Sequence, residues 1–293
     1  MKPSVPWWCA LPGTGPFRPA ATSEGSTKWA SRAATILTGS GPTNIGSTPL
    51  PSGYAFPNVS YGVACANLSG DKNALPDIVM TSFSGYDIDD ANELLYNKGT
   101  VSIFFHDPNN PGSFLPRVDL SVPGAVSKVV IADVNGDGLP DIIVADEAAD
   151  ETGAGGAGAV VLLQNKPASA GAQPTFAAPV YYATESANGI AVGDVNGDGW
   201  PDIVVSSAQP DASEGGTGTV SILLNTAATP GTFQTAVAYD GLGDPASVAI
   251  GNLHSNAADG LQDIAIADDT GVAVMLNESS APGTFNAEVL VGG

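Results

Sequence analysis

The chain has 293 residues, enough for a core of ordinary size, and carries 30 acidic against 9 basic residues for a formal charge of −21. That balance excludes a nucleic-acid backbone as partner, since nothing would neutralise its phosphates, and disfavours anionic membrane surfaces. Lys166 is the last basic residue, so the carboxylates from Pro167 to Gly293 must repel one another through solvent or be neutralised by bound cations.

Residues 1–57 are rich in Ser, Thr, Pro and Gly with weak periodicity. They read as an irregular leader or linker, or, on the strength of the PGTGPF segment from Pro12 to Phe17, as the worn end of a preceding repeat unit. Met1–Ala10 holds Pro, two Trp and Cys9 where an export signal would need an uninterrupted apolar stretch. No run approaches the roughly twenty apolar residues of a membrane span. Cys9 and Cys65 are too few for a disulfide framework and leave one optional bridge or two unpaired thiols.

From residue 58 onward the chain repeats itself. ACANLSGDKNALPDIVM from Ala64, IADVNGDGLPDIIVAD from Ile131, VGDVNGDGWPDIVVSS from Val192 and IGNLHSNAADGLQDIAIAD from Ile250 align, and their terminal aspartates Asp77, Asp141, Asp202 and Asp263 recur 64, 61 and 61 residues apart. Each unit continues with an apolar run, a Gly-rich acidic loop and a second apolar run, as in GTVSIFFH from Gly99 and GTVSILLN from Gly218. A turn ending at Phe114, Phe176, Phe233 or Phe285 then introduces another short stretch. The Val/Ile-rich runs bounded by turn residues predict about four strands per unit. The fold class is therefore all-β, with propeller-type blades at 58–124, 125–184, 185–243 and 244–293.

The loops between the first two runs carry the chemistry. In Asp133–Asp141, side-chain oxygens stand at positions 1, 3, 5 and 9 (Asp133, Asn135, Asp137, Asp141) and Leu139 offers its carbonyl at position 7. The second intact copy is Asp194, Asn196, Asp198, the Trp200 carbonyl and Asp202. Alternate oxygens on a tightly turning loop suit a hard cation that takes six to eight oxygen ligands, so the expected cofactor is Ca2+. An EF-hand needs Glu at position 12 and a following helix, whereas position 12 is Val144 or Val205 inside a β-branched run. The outer copies are degraded. The first has Asn67, Ser69, Asp71 and Asp77 with two extra residues, and the fourth has Asn252, Asp259 and Asp263 with three. These sites are expected to be weak or empty.

With these loops in phase and each followed by a strand, the chain from about Tyr61 onward resembles the FG-GAP or VCBS repeat proteins, a family that includes the calcium-binding propeller of integrin α-chains and many bacterial secreted proteins. The resemblance implies calcium in the D-x-D/N-x-D-G-x-x-D loop, an extracellular or cell-surface location, and a bacterial secreted protein. It also implies more blades than four, so that this chain is a fragment of a larger protein, unless four blades close a small ring or remain an open arc.

Catalytic groups are scarce. His106 falls where Asn165, Asn225 and Asn277 stand in the other units and reads as a turn residue, His254 lies in the degraded fourth loop, and no nucleophile elbow, H-E-x-x-H or phosphate loop occurs. Acidic pairs such as Asp146 with Glu147 and Asp268 with Asp269 read as surface acid following the loop strand. The Gly-rich insertions at 150–158 and 211–218 read as blade-edge loops suited to recognition. The chain is thus expected to be a non-catalytic adhesion or ligand-recognition module whose partner is a protein or glycan, with no nucleic acid and no membrane insertion. The alternative is an accessory propeller of a secreted polysaccharide-degrading or other hydrolytic enzyme.

Overall fold

A computed structural model describes residues 35–38, 41–44, 58–69, 75–84, 87–88, 94–95, 99–110, 112–122, 124–147, 158–167, 173–208, 218–253, 260–268, 271–286 and 289–290. The chain divides into two compact units, Met1–Pro57 and Asn58–Gly293. Within the first, Thr35–Thr38 pairs antiparallel with Gly41–Asn44. Among the described residues there is no helix, and the fold is all-β.

Among the described residues the second unit contains four four-stranded antiparallel meanders and two two-stranded ribbons, Asp87–Ile88 with Leu94–Leu95 and Asn165–Lys166 with Thr175–Phe176. The first meander runs Asn58–Ala66, Asp77–Ser84, Gly99–Phe104, Val118–Val122. The second runs Val126–Ala132, Asp141–Asp146, Ala159–Leu163, Val180–Ala183, and the third Gly189–Gly193, Asp202–Ser207, Gly218–Leu223, Val237–Leu242. The fourth runs Ser247–Gly251, Asp263–Asp268, Gly271–Met275, Val289–Leu290. The expectation of about four strands per repeat is borne out. The first strands of consecutive sheets lie beside one another, so sequence neighbours are also spatial neighbours.

Hydrophobic patterning explains this stacking. Asp141–Asp146 and Asp202–Ser207 are buried at every position, because each middle sheet is covered on both faces. One face of the second sheet (Ile142, Val144, Val161, Leu163) packs on the first sheet through Val79, Val101 and Ile103. Its other face (Ile143, Ala145, Val160, Leu162) packs on Ile203, Val205 and Leu223 of the third. Ile222, Val204 and Val220 of the third meet Ile264, Ile266 and Met275 of the fourth. β-branched runs without polar alternation are therefore required. Fully burying each such side chain contributes about 1.5–3 kcal/mol.

The acidic pairs need correction. Asp146, read as surface acid, is fully buried. It ends a strand covered on both faces and faces Gly124, whose missing side chain leaves room for the carboxylate. Burial also pushes the Glu147 carboxyl above its usual range, partly offset by Lys128. Cys65 is exposed in the first strand. Cys9, His254, Asp269, the 12–17 segment and all but the closing glycines (Gly158, Gly218) of the two Gly-rich insertions lie outside the described residues.

Candidate functional site

The two intact acidic loops adopt the same conformation. In the first, both oxygens of Asp133 accept backbone N–H groups, Oδ1 from Gly136 at 2.7 Å and Oδ2 from Gly138 at 2.8 Å. Asn135 Oδ1 accepts from the Asp137 N–H at 2.9 Å, and Asp137 Oδ1 from the Leu139 N–H at 2.8 Å. In the second, Asp194 accepts from Gly197 at 2.7 Å and Gly199 at 2.9 Å, Asn196 from Asp198 at 2.9 Å, and Asp198 from Trp200 at 2.9 Å. Such side-chain-to-backbone bonds are what Asx residues use to hold a turn without sheet or helix. Gly136 and Gly138 have φ of 76° and 84°, a left-handed conformation that strains any residue with a Cβ.

Position 9 behaves differently. Asp141 and Asp202 are fully buried. Asp141 Oδ2 accepts the Val134 N–H at 3.1 Å and its Oδ1 the Asn165 N–H at 2.8 Å. Asp202 repeats this with Val195 at 3.0 Å and Asn225 at 2.7 Å. This carboxylate fastens the loop to the end of the third strand. Burial pushes both up to about 6, against the pull of their two N–H donors and with help from the nearby loop carboxylates, Asp137 and Asp133 for Asp141, Asp198 and Asp194 for Asp202.

The asparagine that meets this aspartate also reaches into the preceding unit. Asn165 Nδ2 donates to Pro140 O at 3.0 Å and to Leu68 O of the first sheet's loop at 2.7 Å. Asn225 Nδ2 donates to Pro201 O at 3.0 Å and Val134 O at 2.8 Å, and Asn277 Nδ2 to Gln262 O at 2.8 Å and Val195 O at 2.6 Å. Each of these asparagines therefore clamps the acidic loop of the unit before it. The P-G-T-F turn closes the joint. Gly231 N–H donates to Asn225 Oδ1 at 3.0 Å and Gly283 N–H to Asn277 Oδ1 at 3.1 Å. Phe233 and Phe285 stack edge-on against Tyr182 and Tyr239 of the preceding unit, with centroids 5.3 and 6.0 Å apart.

In the first unit His106 takes the asparagine's place, its N–H donating to Asp77 Oδ1 at 2.8 Å and its ring stacking edge-on with Phe114. The outer loops keep part of the pattern. Asp77 Oδ2 accepts from Leu68 N–H at 3.0 Å, and Asn67 Oδ1 from Ser69 N–H at 3.1 Å. Asp263 accepts from Leu253 at 2.7 Å and Asn277 at 2.9 Å. Asn252 is exposed, while Asp71 and Asp259 lie outside the described residues.

Among the described residues no three His, Cys, Asp or Glu side chains converge closely enough to hold an ion by themselves. Each intact loop carries three carboxylates and one carboxamide within nine residues, and the carboxamide of Asn135 donates to Asp137 Oδ2 at 3.1 Å, as that of Asn196 does to Asp198 Oδ2. The donor set is all oxygen and carries three negative charges, which suits a hard cation. A carboxylate has about four acceptor positions, and Asp133 and Asp141 each spend two on backbone N–H groups. About half of that capacity is unspent by these bonds, and of the two residues only Asp133 is partly exposed. Sequence reasoning aligned Asn165, Asn225 and Asn277 with His106 and missed their clamping role. Their recurrence in phase was the available signal.

Family comparison agrees with this repeated geometry. The model of the FG-GAP repeat matches residues 186–223, and that of the FG-GAP-like repeat matches residues 71–144. No curated protein matches the chain. The first-named match contains the intact loop 194–202 and the buried strand Asp202–Ser207, and the second contains the loop 133–141 and the start of the strand Asp141–Asp146, so the chain carries FG-GAP repeats over these two stretches, and its four-stranded sheets are consistent with the blades of that family.

Proposed function

We propose that the chain is an extracellular, non-catalytic recognition module in which calcium held by Asp133, Asn135, Asp137, Leu139 and Asp141, and by Asp194, Asn196, Asp198, Trp200 and Asp202, stiffens consecutive blades. The supporting observation is the match between the two loops, which repeat the same four Asx-to-backbone bonds with corresponding lengths within 0.1 Å. Bound calcium supplies positive charge that relieves the repulsion among three carboxylates. The residues of the chain hold the turn in shape, and the buried aspartate carries that rigidity to the strand end. Exposed sites of this carboxylate count belong with the extracellular class of affinities, Kd on the order of 10⁻⁴–10⁻³ M. A protein or glycan would be engaged by the blade-edge loops.

Titration calorimetry of the full chain with calcium tests this reading. Two ions are expected to bind, and at a hundred-fold excess over Kd each stabilises the fold by about 2.7 kcal/mol. That raises the Tm by several degrees per site over protein in excess chelator. Absence of binding heat together with superimposable melts would refute the reading.

A further inference from the structure

We propose that the two acidic loops bind their ions as a coupled pair, with loop 194–202 filling first and preparing loop 133–141. This rests on the calcium reading above. Three contacts tie the loops together. The Trp200 ring lies against Gly136, where an added Cβ would come within 2.6 Å of a ring carbon. Asp202 accepts the Asn225 N–H at 2.7 Å, and the Asn225 carboxamide donates to Val134 O at 2.8 Å, joining position 9 of one loop to position 2 of the other. The Gly231 turn sits on Asn135, where a Cβ would be 2.8 Å from the Asn135 Cβ, and the Gly231 carbonyl accepts from Gln164 Nε2 at 3.2 Å.

Trp200 and Asp202 each have two roles in this arrangement. The Trp200 carbonyl is the position-7 ligand of its own loop while its ring covers the glycine of the neighbouring one. Asp202 is the position-9 ligand and also the anchor of the clamp on Val134. An ion that fixes Trp200 and Asp202 therefore fixes the wall against which loop 133–141 must order. The second ion then meets a smaller ordering cost, which is positive coupling.

The fourth unit explains the order. It braces loop 194–202 in the same way, through Asn277 on Val195 O at 2.6 Å, Gly283 against Asn196, and Leu261 against Gly197. Its own loop lacks the intact acidic set, so this brace needs no ion. Loop 194–202 is held by an ion-independent neighbour, and loop 133–141 by an ion-dependent one. Trp200 and Asn225 are thus positioning residues for the first loop.

Calcium calorimetry on full-length variants tests the coupling. Asp198→Ala should leave one site, about five-fold or more weaker than the second binding step of the parent chain. Asp137→Ala should leave one site with the affinity of the parent's first step. Trp200→Ala, which alters no charge and no ligand atom, should still bind two ions but with the second step weakened to the same degree, and Trp200→Phe should recover part of the loss. Two ions binding to the parent chain, with the single site left by Asp198→Ala as tight as the parent's second step and that step unmoved by Trp200→Ala, would overturn the coupling and leave the calcium reading standing. No binding to the parent chain would overturn both.

Discussion

Asn225→Ala removes the clamp between the second and third units, and its cost follows from the bonds lost. The residue is 1% exposed. Its carboxamide donates to Val134 O and Pro201 O at 2.8 and 3.0 Å and accepts from the Gly231 N–H at 3.0 Å. Truncation strands two carbonyls and one N–H in a buried site, where each unsatisfied group costs about 1–3 kcal/mol. The carbonyls retain a second lone pair, so about 3–5 kcal/mol in total is expected. Asn165→Ala is the internal control. Asn165 makes the same two donor bonds, at 2.7 and 3.0 Å, but its Oδ1 has no partner among the described residues. Pro174 stands where Gly231 and Gly283 stand in the later units, and proline has no N–H to give. Asn165→Ala should therefore cost about 1 kcal/mol less than Asn225→Ala. Urea unfolding of the full chain in chelator measures both. An Asn165→Ala variant as destabilised as Asn225→Ala would refute this account of the clamp.

Asp202→Asn replaces an acceptor by a donor facing a backbone N–H, so it should lose about 2–4 kcal/mol even in chelator. Asp137→Asn, at an exposed position, should stay within about 0.5 kcal/mol under the same conditions and weaken only calcium uptake. Asp141 and Asp202 have folded pKa values raised to about 6 from 3.8, so the folded state holds their protons more tightly than the unfolded chain. Their contribution is full below pH 3.8 and is lost as pH rises through 6, with a ceiling of about 3 kcal/mol each. Chelated protein should accordingly lose less stability between pH 5 and 7.5 once Asp202→Asn is introduced, as read from paired urea midpoints. Gly231→Val, at a φ of 83° and with a Cβ 2.8 Å from that of Asn135, should cost at least about 1–2 kcal/mol from backbone strain alone and weaken ion uptake at loop 133–141.

The blade pattern was legible because every unit repeats the same apolar runs between the same turn residues, and runs such as DIIVAD and DIVVSS admit no exposed face. The acidic loops were legible from their spacing. What spacing does not convey is which oxygen faces which neighbour. Asp141 occupies a ligand position by count, yet it lies buried between Val134 and Asn165, which only the packed strand end reveals. Asp146 looked like surface acid because a charged residue at a strand end normally reaches solvent. The gap left by Gly124 lies 22 residues away in sequence and cannot be read from local pattern. The cross-unit bonds of Asn225 and Asn277 span 91 and 82 residues, beyond any window that periodicity inspects.

The clamp also gives the array a direction. Val134 receives its hydrogen bond from a residue 91 positions further along, so a ribosome must add that length before the turn around Asn135 acquires its lid. At about 5–20 residues per second, each nascent loop waits roughly five to twenty seconds for its successor. Maturation thus travels in the same sense as translation, one step behind the growing end.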